Sequence, residues 1–260
     1  MLTVRSRRVK ETRRLLRRRE RTAQRSFLAD GPKAVEGALE VPGCVREVFA
    51  TRDAAREYAG LLEGTPVSVV DRAAIEALSA SVSPAGLVAV CGFLERPLEA
   101  VLGTASDPEA TVVICADVRD PGNAGTVIRT ADAVGAAGVV LAGDSVDAYN
   151  PKTVRASVGS LFHLPLALEH DPATAVAAAH AAGFAVLAAD GAGELDLFAA
   201  GGLLRGRVAW LFGNEAWGLP DELAALADHR VAIPIPGRAE SLNLSTAAAV
   251  CLYAGLAART

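Results

Sequence analysis

With 260 residues and 51% of them hydrophobic, the chain can bury one large core or two modest ones. Its four cysteines (Cys44, Cys91, Cys115, Cys251) form no Cys-x-x-Cys pair, and its four histidines (His163, His170, His180, His229) show no metal-ligand spacing, so neither a disulfide scaffold nor a metal site is expected. A net charge of −4 hides an asymmetry: residues 1–25 hold eleven Arg or Lys against two Glu, and from −4 overall and +9 here the remainder carries −13.

The basic N-terminus is not followed by an apolar signal core, and the most apolar tract, 247–258, is too short to span a bilayer. The expected location is a reducing cytoplasm, with no membrane association. Residues 1–26 read as a basic arm or helix with sparse apolar positions at Val4, Val9, Leu15 and Leu16. So dense a cluster of like charge repels itself unless a polyanion neutralises it, and RNA phosphate is the expected contact.

Residues 27–97 read as a small α/β domain. Phe27-Leu-Ala-Asp-Gly-Pro-Lys-Ala-Val35 starts as a turn and enters a helix with Pro32 in its first turn. Strand-like runs follow at 45–51, 67–70 and 86–93, with helical runs at 52–62 and 72–78. No cluster of His, Cys or carboxylates occurs here, so binding is the expected role. Pro97, Gly103 and Pro108 mark a linker over 98–110.

From Thr111 the pattern alternates. Apolar strand runs are expected at 112–116, 138–142, 185–189, 208–212 and 231–235, and helices at 124–134, 172–182, 221–227 and 244–258. Strands apolar on both faces indicate a parallel sheet covered on both sides, and ligands of such sheets gather at the carboxyl ends of the strands.

Three of those ends are polar. After the first strand comes Asp117-Val-Arg-Asp-Pro-Gly-Asn-Ala-Gly-Thr-Val-Ile-Arg129, with Asn123 where a helix can begin and Arg129 six residues on. A second apolar strand runs directly into Gly213-Asn214-Glu215, an unusual place for a carboxylate. The third is Val231-Ala-Ile-Pro-Ile-Pro-Gly-Arg-Ala-Glu-Ser-Leu-Asn-Leu-Ser-Thr246, where prolines end the strand and Ser241, Asn243 and Ser245 lead into an alanine-rich helix. Each alone is compatible with an ordinary turn or helix cap; together they mark a site.

In order, Asn123-x5-Arg129, Leu211-Phe-Gly-Asn-Glu215-x2-Gly218-Leu and Ile233-Pro-Ile-x4-Glu240-Ser-Leu-Asn-Leu-Ser245 resemble the three motifs of the SpoU (TrmH-type) RNA 2′-O-ribose methyltransferases of the SPOUT superfamily. Phe27–Val35, with Pro84-Ala-Gly-Leu-Val-Ala-Val90, is similar to that family's N-terminal substrate-binding domain, which itself resembles small RNA-binding ribosomal proteins. The resemblance implies a methyltransferase domain over 111–260 with the SPOUT α/β fold and a deep trefoil knot. It implies S-adenosylmethionine as methyl donor, S-adenosylhomocysteine as product, no metal, and a homodimer with the active site at its interface.

Carried over by motif, Arg129 is the principal catalytic residue, helped by Asn123, Glu215, Ser241 and Asn243. Gly213, Asn214, Ile233, Leu242 and, more remotely, Gly143 are implied as cofactor-binding residues. The implied substrate is structured RNA, foremost 23S ribosomal RNA. The alternatives are a tRNA 2′-O-methyltransferase, a knotted enzyme that methylates a base, or an RNA-binding protein without catalysis.

Overall fold

The placing of Pro, Gly and capping carboxylates sets where most of the elements begin and end. The computed structural model describes residues 1–103 and 107–260, in two compact units: Met1–Leu94 with Asp147–His163, and Glu95–Val146 with Leu164–Thr260.

The first unit opens with α1 (Arg7–Arg13), a 3-10 turn at Arg14–Leu16 and α2 (Arg18–Gln24). The expected basic arm is therefore folded helix. Val9 and Leu15 are buried in a cluster with Leu28, Phe49, Val70, Ile75 and Val88, while Arg13, Arg14, Arg17, Arg18 and Arg19 remain exposed. Then come β1 (Ser26–Asp30), α3 (Pro32–Glu40), β2 (Val45–Thr51), α4 (Arg52–Glu57), β3 (Val67–Val70), α5 (Arg72–Leu78) and β4 (Leu87–Gly92).

The sheet order is β1-β4-β2-β3, with β4 antiparallel to both neighbours and β3 parallel to β2. Thr51 and Asp71 cap α4 and α5 by accepting from Ala54 and Ala74 N–H. The turn expected at residue 27 is instead strand β1, which pairs along its whole length with β4.

The second unit starts with α6 (Leu98–Gly103), in the stretch expected as linker. Leu98, Val101 and Leu102 are buried against the sheet, which is why this segment folds as helix; residues 104–106 of that expected linker lie outside the described residues. Next are β5 (Thr111–Ala116), α7 (Pro121–Ala133) and β6 (Gly138–Ala142).

Residues 147–163 then belong to the first unit, although the expected methyltransferase domain ran unbroken over 111–260. They carry α8 (Pro151–Ser157). Asp147 accepts from the Arg21 guanidinium at 2.6 and 2.9 Å, and the Tyr149 ring packs tilted against Phe27 with centroids 4.6 Å apart. Packing among these side chains, not chain order, makes the assignment.

The second unit resumes with β7 (Leu166–Glu169), α9 (Pro172–Ala181), β8 (Ala185–Ala189), β9 (Leu195–Asp196), β10 (Val208–Phe212), α10 (Asp221–Ala224), β11 (His229–Ala232) and α11 (Leu244–Arg259). Its seven strands are all parallel, in the order β7-β6-β5-β10-β8-β11-β9. On one face α6 and α9 pack over Val112, Ile114, Val186, Ala209 and Leu211. Side chains alternate along a strand, so Val113, Cys115, Trp210 and Phe212 point to the other face, where α7 and α11 pack on each other and on the sheet.

Strand β11 begins earlier than expected and ends at Ala232, before Pro234, because proline has no N–H for the ladder. Among the described residues no helix is long and apolar enough to cross a membrane, and no group of three or more His, Cys, Asp or Glu is placed to hold a metal ion.

Candidate active site

The central strands β5, β10, β8 and β11 all deliver their carboxyl ends to one edge of the second unit. There the chain leaves a cavity of about 270 Å³. Phe212, Val231, Ile233, Ile235, Leu242 and Leu244 give it apolar walls, and Asp190, Glu215, Glu240 and Ser241 supply its polar groups. Of the residues expected at the site, Gly213, Asn214, Glu215, Ile233, Ser241 and Leu242 line this cavity.

The loop after β10 is tightly built. Asn214 and Gly218 exchange backbone N–H···O bonds, both 2.9 Å. The buried Asn214 amide donates to the Asp117 carbonyl at 2.7 Å and accepts from Ala216 N–H at 2.8 Å. Asn214 thus ties this loop to the loop after β5. A side chain at Gly213 would overlap the Gly218 backbone, so only glycine closes the turn.

Gly143 lies elsewhere and does not line the cavity. It has φ +67°, and an added Cβ would sit 2.5 Å from the Asp117 carboxylate, which accepts from Asp144 N–H at 2.7 Å. Its role is to let the loop after β6 approach Asp117.

Asn123 is not the helix cap. Asp120 caps α7 by accepting from Asn123 N–H at 2.9 Å, with Pro121 in the first turn. The Asn123 amide is thereby released for the site. It donates to Glu215 Oε1 at 3.1 Å and accepts from Asn243 Nδ2 at 3.1 Å. Asn243 in turn caps α11, its Oδ1 accepting from Ser245 N–H at 2.9 Å and from the Ser245 hydroxyl at 2.7 Å.

The network assigns both amide orientations: a cap needs an oxygen and a carboxylate needs a donor. Residues 123, 215 and 243 thus form one hydrogen-bonded row across three strand ends.

Glu215 also accepts from Arg119 N–H at 3.1 Å and Asp120 N–H at 3.0 Å. Partial burial works against its charge, but these backbone donors and the Asn123 amide outweigh burial and hold its carboxyl below the ordinary value. At neutral pH it is an ionised acceptor, not a proton donor. Asp190 is similar: burial opposes its charge, while Ala192 N–H and the Arg230 guanidinium, 2.8 Å away, keep it low.

Cys115, at the end of β5, has its thiol pushed up to about 12 by burial and, secondarily, by the Glu215 charge. It is no nucleophile at neutral pH.

Arg129 stands apart from this row. It is exposed on α7, and its guanidinium has no side-chain partner among the described residues. Six helical residues from Asn123 carry it about 9 Å along α7 and about 240° around it. Asp190 and Arg119 were not singled out in the sequence. Asp190 follows β8 directly, so the rule that directs attention to strand ends also covers it.

The arrangement offers an acidic, apolar-walled cavity beside a row of fixed amide and carboxylate groups. It suits a cationic ligand with a flat apolar part, held next to a polar group awaiting orientation. Residues 110–253 match the SpoU rRNA Methylase family, and residues 6–89 match the MRM3-like substrate binding domain.

The chain is 33% identical over 254 residues, 96% of each sequence, to the 23S rRNA (guanosine(2553)-2'-O)-methyltransferase RlmP of Bacillus subtilis (strain 168). It is 41% identical over 138 residues, 51% of this chain and 47% of the relative, to the 23S rRNA (uridine(2479)-2'-O)-methyltransferase of Streptomyces viridochromogenes. The crystal structure of the SpoU methyltransferase AviRb from Streptomyces viridochromogenes, in complex with AdoMet, superposes with a TM-score of 0.86 at 31% identity over 98% of each chain.

Proposed function

The chain belongs to the SpoU rRNA methylase family, and from that premise we propose that it transfers a methyl group from S-adenosylmethionine to a ribose 2′-oxygen of 23S ribosomal RNA. The observation that carries this reading is the hydrogen-bonded row Asn243–Asn123–Glu215 at the mouth of the acidic cavity.

The residues present fit the cofactor. Asp190, Glu215 and Glu240 put negative charge around the cavity, which complements a sulfonium, and Phe212, Ile233, Ile235 and Leu242 form walls suited to an adenine ring. When bound, S-adenosylmethionine supplies an electrophilic methyl group. Gly213 and Asn214 hold the loop that shapes its site.

The rest of the chemistry belongs to this chain's own side chains. A ribose 2′-hydroxyl is a weak nucleophile and must be aimed and relieved of its proton. Asn123, Ser241 and Asn243 present fixed polar groups for aiming it, and Glu215 anchors Asn123. Arg129 binds an RNA phosphate and stabilises the developing alkoxide; a guanidinium stays protonated, so the 2′-hydroxyl proton passes to that phosphate or to water and not to Arg129.

Arg129 is exposed and set about 240° around α7 from Asn123, which supports an arrangement in which two copies pack through α7 and α11 and exchange arginines. The outward stripe Thr246, Val250, Tyr253 and Ala257 on α11 is suited to such an interface. In this reading the loops 213–219 and 233–245 lie in a knotted segment, and the protein works in the cytoplasm on ribosomal RNA.

The exposed arginines of α1, α2 and the turn between them add a phosphate-binding face to the substrate-binding domain.

The test is methyl transfer from labelled S-adenosylmethionine to a 23S rRNA transcript, followed by nuclease digestion and mass spectrometry. A 2′-O-methylnucleoside is the expected product. A methylated base, or no transfer with cofactor binding intact, overturns the assignment. Sedimentation at micromolar concentration tests the dimer, and a monomer contradicts it.

A further inference from the structure

The chain has two tryptophans, and they are placed in opposite ways. Trp210 lies within β10, 1% exposed and stacked with Phe212. Trp217 stands on the short loop after the same strand with 53% of its surface exposed. An indole is among the most costly side chains to leave in water, and the motif residues of this loop do not require one here.

The loop that carries Trp217 is closed on itself by hydrogen bonds. Its ends are joined by the reciprocal Asn214–Gly218 backbone bonds, and its base is tied to Asp117 by the buried Asn214 amide.

Trp217 is also paired. The Arg119 guanidinium lies 5.0 Å from the indole centroid, with Asp144 3.6 Å from that guanidinium. The backbone N–H of Arg119 donates to Glu215, two residues before Trp217. An aromatic plane and a planar cation are therefore fixed to the same carboxylate that anchors the polar row.

We infer that Trp217 and Arg119 form a nucleobase platform, on which the base of the nucleotide being methylated stacks while its ribose is held by Asn123 and Asn243. This substrate-positioning surface rests on the methyltransferase reading above. Glu215, which belongs to that row, precedes Trp217 by two residues in the same loop, so a ribose held at the row has its base on the side of this loop, and Arg119 gives the platform the charge an RNA strand seeks.

Stacking tolerates every base, since each has a π-face. That tolerance agrees with relatives named for guanosine in one case and uridine in another. The platform holds the base flat and leaves its edge to be read by other groups.

The test uses the full chain, Trp217→Ala and Trp217→Phe, with a 23S rRNA transcript as probe. Trp217→Ala is expected to raise the KM for RNA on the order of 10- to 100-fold. The kcat and the S-adenosylmethionine affinity stay near wild type, and Trp217→Phe recovers most of the loss. In the wild type, acrylamide reaches part of the tryptophan emission, and RNA quenches that same part. In Trp217→Phe the remaining Trp210 emission responds to neither.

Unchanged KM in Trp217→Ala, or wild-type emission untouched by RNA, overturns the platform while methyl transfer stands. Emission shielded from acrylamide before RNA is added also overturns it, because another surface then covers the ring. Quenching by RNA without any methyl transfer by the wild type rejects the enzyme reading, and with it the assignment of the stacked base to a methylated nucleotide, while Trp217 remains an RNA contact.

Discussion

Two arginines, one in each unit, are used in opposite ways. In the first, Arg21 is 2% exposed and directs its donors inward, to the carbonyls of Leu15 and Leu16 and to both bonds with Asp147. In the second, Arg129 stands in solvent with its guanidinium unengaged by any side chain among the described residues. A saturated buried cation holds an architecture together; an unengaged one beside a site is available for a ligand. The same contrast separates Trp210 from Trp217 on neighbouring stretches of chain.

The largest expected effect breaks the architectural side. Arg21→Met leaves Asp147, whose side chain is 12% exposed, and the Leu15 and Leu16 carbonyls without their guanidinium partner and costs about 3–5 kcal/mol, read as a shift of the denaturant midpoint. On the functional side, Arg129→Ala lowers kcat on the order of 100- to 1000-fold. Its S-adenosylmethionine affinity stays unchanged, and its stability stays within about 0.5 kcal/mol of wild type. A large stability loss in Arg129→Ala would erase the contrast.

Removing residues 1–25 is a poor probe, because Val9, Leu15 and Arg21 belong to the fold. Replacing exposed Arg13, Arg14, Arg17, Arg18 and Arg19 by Gln is the cleaner experiment. The slope of log affinity for RNA against log salt falls by about 0.7–0.9 for each phosphate that the variant no longer neutralises. An unaltered slope removes these helices from the RNA-binding face.

The smallest effect concerns Glu215. Its folded pKa lies below the unfolded value of about 4.3, so its stabilising bonds are fully present above that value and disappear as pH falls through the folded one. Because the group is partly solvated, Glu215→Gln costs only a few tenths of a kcal/mol at about pH 7. The difference vanishes in strong acid, below the folded pKa, and a gap that persists there would mean its charge is not what matters.

Long apolar runs made β5, β6, β8 and β10 legible in the sequence, because strands buried on both faces need no polar interruption. Short or punctuated elements were not. In β1 the strand Ser26–Asp30 runs into Gly31-Pro32, so its final residues look like a turn. In α6 Pro97 and Gly103 bracket a helix of six residues, and only its burial against the sheet distinguishes it from a linker. The insertion at 147–163 is settled by partners far away in sequence, Arg21 and Phe27, which no local pattern encodes.

At the site, the polar strand ends around Asn123, Glu215 and Asn243 were visible as unusual residues in apolar surroundings. Their connection was not. That Asp120 takes the capping role and releases the Asn123 amide is a matter of one helical turn. Gly143 shows the converse: a glycine after a strand suggests a ligand, but here it makes room for Asp117. Trp217 carries no sequence signal beyond its type; exposure and the Arg119 guanidinium mark it.

The most direct test of the central claim is a map of 2′-O-methyl groups on ribosomal RNA from cells lacking this gene. The predicted result is one 23S rRNA nucleotide that loses its ribose methyl, regains it with the wild-type gene, and stays unmethylated with Arg129→Ala. A methylation map identical with and without the gene, or a methyl lost from a base, would contradict the account.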